Sequence, residues 1–230
     1  MKNTFVLKLI LQITAYMVIL AGLFFVPAGT LAWPRAWLYL GLMYVLMVAA
    51  VIHLDRTDHD LLVERAKRRG QKGQPLSDKI ILPAFLAAYY ALLVFIPLDV
   101  FRFHLLARPP WIVSSLGLVI YLVGWLIVYL SLRTNPFAAP VVKLQAERGH
   151  RVIDVGVYGI VRHPMYAGGI LVFVGLPLWL ESYAAALLEC VPLGFLALRC
   201  LFEEKFLRQN LSGYADYMRR VRYRMIPYLW

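Results

Sequence analysis

Two short stretches of this 230-residue chain place polar groups at the edges of long apolar runs, where they could do chemistry. The first is Arg162-His163-Pro164-Met165-Tyr166, directly before an apolar segment. Proline disfavours helix in the residue before it and fits the first position of a helix, so His163 is predicted extended and Pro164 to start a helix. Arg162 and His163 then stand at a helix N-terminus, whose free N–H groups and positive dipole end suit a carboxylate or phosphate. Tyr166 lies in the first turn. The second stretch is Arg199-x-x-x-Glu203-Glu204, in which Arg199 and Glu203 share one helical face. Carboxylates at the end of an apolar helix are costly near a membrane unless they meet a cation. A ligand carrying an ammonium and a carboxylate would satisfy both stretches. The ordinary alternatives are an Arg162 that snorkels to headgroups, a Tyr166 in the interfacial aromatic belt, and a surface ion pair between Arg199 and Glu203.

The elements that must position these groups are membrane helices. Of the residues, 61% are hydrophobic and 16% charged, a balance that a soluble chain of this length could not bury. A bilayer core takes about 20 apolar residues per helix. Such runs lie at 5–27, 34–53, 80–99 and 111–131. The first follows Lys2 and Lys8 and is too long for a signal-peptide core, so it reads as a span. A further apolar region, 164–202, is broken by Pro177, Glu181 and Ser182 and fits a helical hairpin whose returning arm is capped by Ser182. The fold class is therefore all-α and polytopic, with about six membrane-embedded helices.

The formal charge of +11 sits in clusters between the apolar runs, which makes it topological and gives no support to nucleic-acid binding. With the N-terminus in the cytosol, all but three of the 24 Lys and Arg residues fall on the cytosolic side, the exceptions being Arg35, Arg102 and Arg108. By the positive-inside rule both termini are expected in the cytosol, with loops at 54–79 and 132–163 and a tail from about 203. Residues 1–132 then form an N-terminal transmembrane part, and 133–230 a part that carries the chemistry.

In the first loop a short helix is expected from Asp58, as N-cap, to Arg69, with Gly70 as its stop. The basic run Arg65 through Lys72 is expected against anionic headgroups or in solvent. His53, Asp55, Asp58, His59 and Asp60 lack a recognisable metal-ligand spacing, and no metal site is expected. Cys190 and Cys200 lie roughly 15 Å apart along a helix and cannot pair. Glu189, within the last span, is a candidate functional acid or a packed, protonated one. Tyr214, Tyr217 and Tyr223 read as packing or interfacial residues. Neither a glycine-rich nucleotide-binding turn nor an internal repeat is visible.

Together the GVY and RHPMY elements, Arg199 to Glu204 and the tail LSGYADYMRRVRYRMIP resemble the isoprenylcysteine carboxyl methyltransferase family. The likeness is strongest to its bacterial members, within a wider group that includes phosphatidylethanolamine N-methyltransferases, and covers roughly residues 133–230. It implies an enzyme that binds S-adenosylmethionine and methylates a lipophilic acceptor entering from the bilayer. Cofactor contacts implied by the resemblance are His150, Arg151, Val152, Ile153 and Tyr158, then His163, Pro164, Met165 and Tyr166, with Glu203 as the cofactor-binding acid. Gln145 corresponds to a family glutamine upstream. Arg162 and Glu204 flank these contacts and join the candidate set, while Arg199 matches the arginine assigned to the acceptor. The expected location is a bacterial cytoplasmic membrane or, in a eukaryote, the endoplasmic reticulum, with the site facing the cytosol. A phospholipid N-methyltransferase, an NADPH-dependent sterol-type reductase and a non-enzymatic scaffold remain alternatives. The acceptor and the oligomeric state are not encoded legibly.

Overall fold

Proline and short polar caps set where the helices begin. The structure is a computed structural model that describes residues 2–67, 71 and 73–230. Its long helices are α1 (Lys2–Ala28), α2 (Pro34–Thr57), α4 (Leu76–Leu98) and α5 (Trp111–Thr134), with the short α3 (His59–Ala66) between α2 and α4. After a loop carrying two 3-10 turns come α6 (Pro164–Trp179), α7 (Tyr183–Leu188), α8 (Cys190–Asn210) and α9 (Tyr214–Arg220). Pro34 and Pro164 occupy first helical positions, as a missing N–H and a fixed φ favour. The Ser182 hydroxyl accepts from the Ala185 N–H at 3.0 Å, the cap expected for the returning arm of the hairpin.

Among the described residues five helical stretches are long and apolar enough to cross a membrane: the four expected spans and Tyr183–Asn210, built from α7 and α8. The hairpin's other arm, α6, has only 16 residues, or about 24 Å at 1.5 Å per residue, short of a hydrocarbon core of about 30 Å. Six membrane-embedded helices thus resolve into five long ones and one short one.

At the end of the bundle remote from His163, α6 and α2 are clamped together. Arg35 pairs with Glu181 at 3.3 Å and donates to the Trp179 carbonyl at 3.0 Å, while the Trp179 indole donates to the Arg35 carbonyl at 3.0 Å. Beside them Asp99 accepts from the Ser182 hydroxyl at 2.6 Å and from the Leu105 N–H at 3.0 Å.

The first loop departs from expectation. Asp58 does cap α3, accepting from the Leu61 N–H at 2.9 Å, but the helix stops at Ala66, with Lys67 as C-cap. The expected continuation through Arg68 and Arg69 to Gly70, and Lys72 of the basic run, lie outside the described residues. Arg65 does not point to headgroups: its Nη1 donates to the Ala138 carbonyl at 2.7 Å. Neighbouring Glu64 is 1% exposed and is held by Lys143 and Lys67. Buried polar groups must be paired, and this ion-pair cluster turns α3 inward onto the second loop.

Helices α5 and α6 pack backbone to backbone. A Cβ on Gly124 would stand 2.6 Å from the Gly168 carbonyl oxygen, and one on Gly168 would stand 2.6 Å from the Gly124 oxygen. Gly117 and Gly175 repeat the arrangement two turns away, where a Cβ on Gly175 would meet the Gly117 oxygen at 2.6 Å. Small residues at such crossings let membrane helices associate closely, and here they fix the helix that begins at Pro164. Gly168→Val should therefore cost about 3 kcal/mol by overpacking and lower the thermal midpoint of the purified protein. Gly194→Val, where nothing lies within 4 Å of the added Cβ, is the control and should melt like wild type. Equal midpoints for both variants would refute this account of the α5–α6 contact.

Candidate functional site

His163 has φ −124° and ψ 63°, outside the helical region, and its carbonyl accepts from the N–H groups of Tyr166 and Ala167. This is the N-terminus expected from proline chemistry. The C-terminal tail then pins it: the Arg162 N–H donates to the Tyr223 carbonyl at 2.9 Å and the His163 N–H to the Arg224 carbonyl at 2.8 Å.

Behind this junction lies a buried charge cluster. Glu204 Oε1 accepts from Arg162 Nε at 2.6 Å and lies 3.3 Å from His163 Nε2, while its Oε2 accepts from Arg224 Nε at 2.9 Å. Arg162 Nη1 also donates to the carbonyls of Val221 and Arg222, each at 2.7 Å. Among the described residues His163, Cys200 and Glu204 form the one cluster with metal-ligand atoms close together, all within 4.8 Å. Both Glu204 oxygens already face arginines, and a metal cation would have to displace them, so the cluster fits an internal ion-pair network better than a metal centre.

In front of the junction opens a cleft of about 800 Å³, its open mouth included. That is within the range of small-molecule sites. Its walls come from the loop 135–163, the first turn of α6, the last turns of α8, and α9. Among the sequence candidates, His150, Arg151, Val152, Ile153 and Tyr158 line it from the loop. Arg162, His163, Met165 and Tyr166 line it from the helix mouth, and Arg199 and Glu203 from α8. Gln145, Pro164 and Glu204 do not reach its walls. Gln145 is fully buried and braces the loop, donating to the Phe137 carbonyl at 2.8 Å and accepting from Arg148 at 2.6 Å.

The adjacent acids on α8 thus do different work. Glu204 faces the arginines, whereas Glu203 accepts from the Tyr166 hydroxyl through Oε2, and its Oε1 has no partner among the described residues. The Tyr166 ring is stacked on His163, with centroids 5.4 Å apart and planes 5° from parallel, and the Arg199 guanidinium lies 5.6 Å from its centroid. Arg199 Nε pairs with Asp78 Oδ1 at 2.7 Å and Nη2 donates to the Pro140 carbonyl at 3.0 Å. Asp78 also accepts from Gln74 at 2.7 Å and from the Val142 N–H at 3.0 Å, so α4, α8 and the loop meet on one carboxylate. His150 stacks on Phe137 at 4.6 Å, and burial, followed by the nearby Arg148 charge, lowers its pKa and favours the neutral ring.

Sequence reasoning did not single out Asn135, Phe137, Val141 or Lys143, which line the same cleft. Tyr214 and Tyr217 were expected to pack, and they do, against Leu211 and Val221. Both also face the cleft. The Tyr217 hydroxyl donates to the Tyr158 carbonyl at 2.8 Å, but the buried Tyr214 hydroxyl has no partner among the described residues. Its distance from RHPMY in sequence concealed it.

Comparison with known proteins bears on the same region. Residues 112–213 match the phospholipid methyltransferase family. The match starts at α5, one helix before the stretch that carries the resemblance in the sequence, and so includes the glycine-packed α5–α6 pair. Protein-S-isoprenylcysteine O-methyltransferase B of Arabidopsis thaliana is 30% identical over 114 residues, which are 48% of this chain and 58% of that protein. Protein-S-isoprenylcysteine O-methyltransferase A of the same plant is 32% identical over 114 residues, with the same coverage of 48% and 58%. The chain thus spans somewhat over half the length of the curated relatives it matches.

Proposed function

We propose that the protein is a membrane-embedded, S-adenosylmethionine-dependent methyltransferase whose acceptor is the carboxylate of a lipophilic molecule such as an isoprenylcysteine. The observation that carries the reading is the pairing of unsatisfied groups in one cleft. Glu203 keeps a carboxylate oxygen for an ammonium, and Arg151 has no acid partner among the described residues and can take a carboxylate. The buried Tyr214 hydroxyl needs a polar partner. The rings of Phe137, Tyr158 and Tyr166 supply apolar and π surface for a purine and a sulfonium. These residues fit S-adenosylmethionine. Bound there, the cofactor supplies a methyl group on a positively charged sulfur.

The chain's own contribution is position and charge. Arg199 keeps Nη1 for an acceptor after Nε and Nη2 are committed, and a guanidinium is suited to hold one oxygen of a carboxylate while the other is aimed. A carboxylate is already ionised at neutral pH and needs no general base. Loop 135–163 and α9 wall the cleft, and a ligand seated between them would displace water from the reacting groups. The names of the curated relatives favour this O-acceptor. The description of the matched family favours a phospholipid amine as second reading.

Methyl transfer from labelled S-adenosylmethionine to a prenylated cysteine, to phosphatidylethanolamine and to a total lipid extract tests both. Label is expected in the prenylated cysteine, and label confined to phosphatidylethanolamine would replace the first reading with the second. S-adenosylhomocysteine should raise the thermal midpoint and NADPH should not. Glu203→Gln should weaken S-adenosylhomocysteine binding by about tenfold to a hundredfold, the loss of one charge-assisted hydrogen bond. Unchanged affinity in that variant would remove Glu203 from the site.

A further inference from the structure

A second concavity lies outside the cleft, between α1, α2, α3 and α5. It is apolar, walled by residues such as Leu9, Ile13, Met47, Val51, Leu62 and Trp125, and encloses about 920 Å³ with its open mouth. Along α5 it runs from Leu132 to Trp125, roughly 10 Å at 1.5 Å per residue. An apolar dent is unremarkable on a surface that faces lipid, but two features set this one apart.

The first is charge. Arg65 stands at the end of the groove where α3 crosses it, and none of the ion pairs among the described residues involves it. The nearest acid on its own helix, Glu64, is taken by Lys143 and Lys67. Arg65 spends one donor on the Ala138 carbonyl, and burial lowers its pKa. A partly desolvated guanidinium with donors to spare, at the end of an apolar slot, complements an anionic head on an apolar chain.

The second is contact with the cleft. Ala138 and Met165 line the cleft, and both pack into the cluster of Leu54, Leu62 and Leu132 that forms the groove wall. The groove and the cleft are therefore back to back, and Met165 belongs to the same RHPMY turn that opens the cleft. The crevice on the other side of Arg199, between α4 and α8, is much narrower, about 180 Å³.

We propose that this groove holds the hydrocarbon chain of the methyl acceptor, with Arg65 at its end adding positive charge beside the carboxylate that Arg199 holds and leaving the attacking oxygen free. This rests on the methyltransferase reading and adds to it where the chain lies and which cation, besides Arg199, selects an acidic acceptor. Arg65 is a positioning residue: it acts on the acceptor's placement and leaves the cofactor's contacts untouched.

The test fills the slot. Val51→Trp should raise KM for an S-farnesyl cysteine derivative at least tenfold and leave KM for an S-butyl analogue and the S-adenosylhomocysteine midpoint shift unchanged. Arg65→Leu should raise KM for both acidic acceptors, and Arg65→Lys should recover most of the loss. Equal effects of Val51→Trp on the long and short acceptors, or none on either, would overturn the proposal. Photolabelling of the wild-type protein with a diazirine-bearing farnesyl cysteine reads the groove without catalysis. Labels within residues 9–16, 47–54 and 125–132 support it, and labels confined to α4 and α8 overturn it. Failure of S-adenosylhomocysteine to bind, with those groove labels present, would sink the methyltransferase reading and leave the groove as a site for anionic lipid.

Discussion

Glu204→Ala is expected to unfasten the C-terminal tail from the mouth of α6 and to lower the thermal midpoint by on the order of 10 °C. The Glu204 carboxylate is 5% exposed and meets Arg162, which is 4% exposed, at 2.6 Å and Arg224 at 2.9 Å. Removing it leaves guanidiniums facing one another and His163 in a buried space. Breaking a buried pair by deleting one partner costs about 3–5 kcal/mol, and a domain of this size loses about 2–4 °C per kcal/mol. Arg162 also holds the carbonyls of Val221 and Arg222, so its reorientation would release the segment that pairs with His163. Limited proteolysis should cut after residue 213 in the variant and not in wild type. Glu203→Gln, one residue away, should melt within about 1 °C of wild type and lose cofactor affinity instead, since Glu203 is in no ion pair among the described residues and the Gln amide oxygen can still accept from the Tyr166 hydroxyl. If the two variants lost stability equally, the division of labour between these neighbouring acids would be wrong.

That division was not legible in the sequence. Consecutive helix residues point about 100° apart, so Glu203 and Glu204 must face different surroundings, but which surroundings depends on a tail 20 residues further on. Local signals did transfer. Asp58 and Ser182 cap the helices expected of them, and His163-Pro164 starts α6, because each depends only on the next few residues. Apolar run length located the long spans for the same reason. The glycine pairs 117/124 and 168/175 are spaced by seven residues in both helices, yet that spacing acquires meaning only when α5 and α6 are known to touch. Arg65 misled in a different way. A basic cluster beside a span is usually a topology signal, and its composition carries no trace of a carbonyl 73 residues away that turns one member inward. The resemblance supplied the cleft residues of loop 150–158 that no physical rule would have chosen.

Arg199 both braces α4 against α8 through Asp78 and lines the cleft, and a double-mutant cycle separates the two roles. Arg199→Ala alone is expected to abolish methyl transfer, but that result is ambiguous, because it strands Asp78, 3% exposed in its side chain, without its cation. The cost of the unpaired acid, about 3–5 kcal/mol, could distort the cleft by itself. Asp78→Asn keeps an acceptor for the Val142 N–H and for Gln74 but leaves the buried Arg199 guanidinium without its anion, so it should lose stability as well. Combining Arg199→Ala with Asp78→Asn removes both charges, so the unfolding free energy should recover by about 2 kcal/mol relative to Arg199→Ala. Turnover should not recover with it. S-adenosylhomocysteine affinity should stay within about threefold of wild type in the double variant, because no cofactor contact is assigned to either residue, while kcat/KM for the acceptor should remain at least a hundredfold down, as expected when a bidentate or charge-assisted contact to the reacting carboxylate is missing. Recovery of turnover along with stability would reduce Arg199 to a brace between α4 and α8. Its Nη1 would then have no assigned partner, and Arg65 would be left as the cation that selects the acceptor.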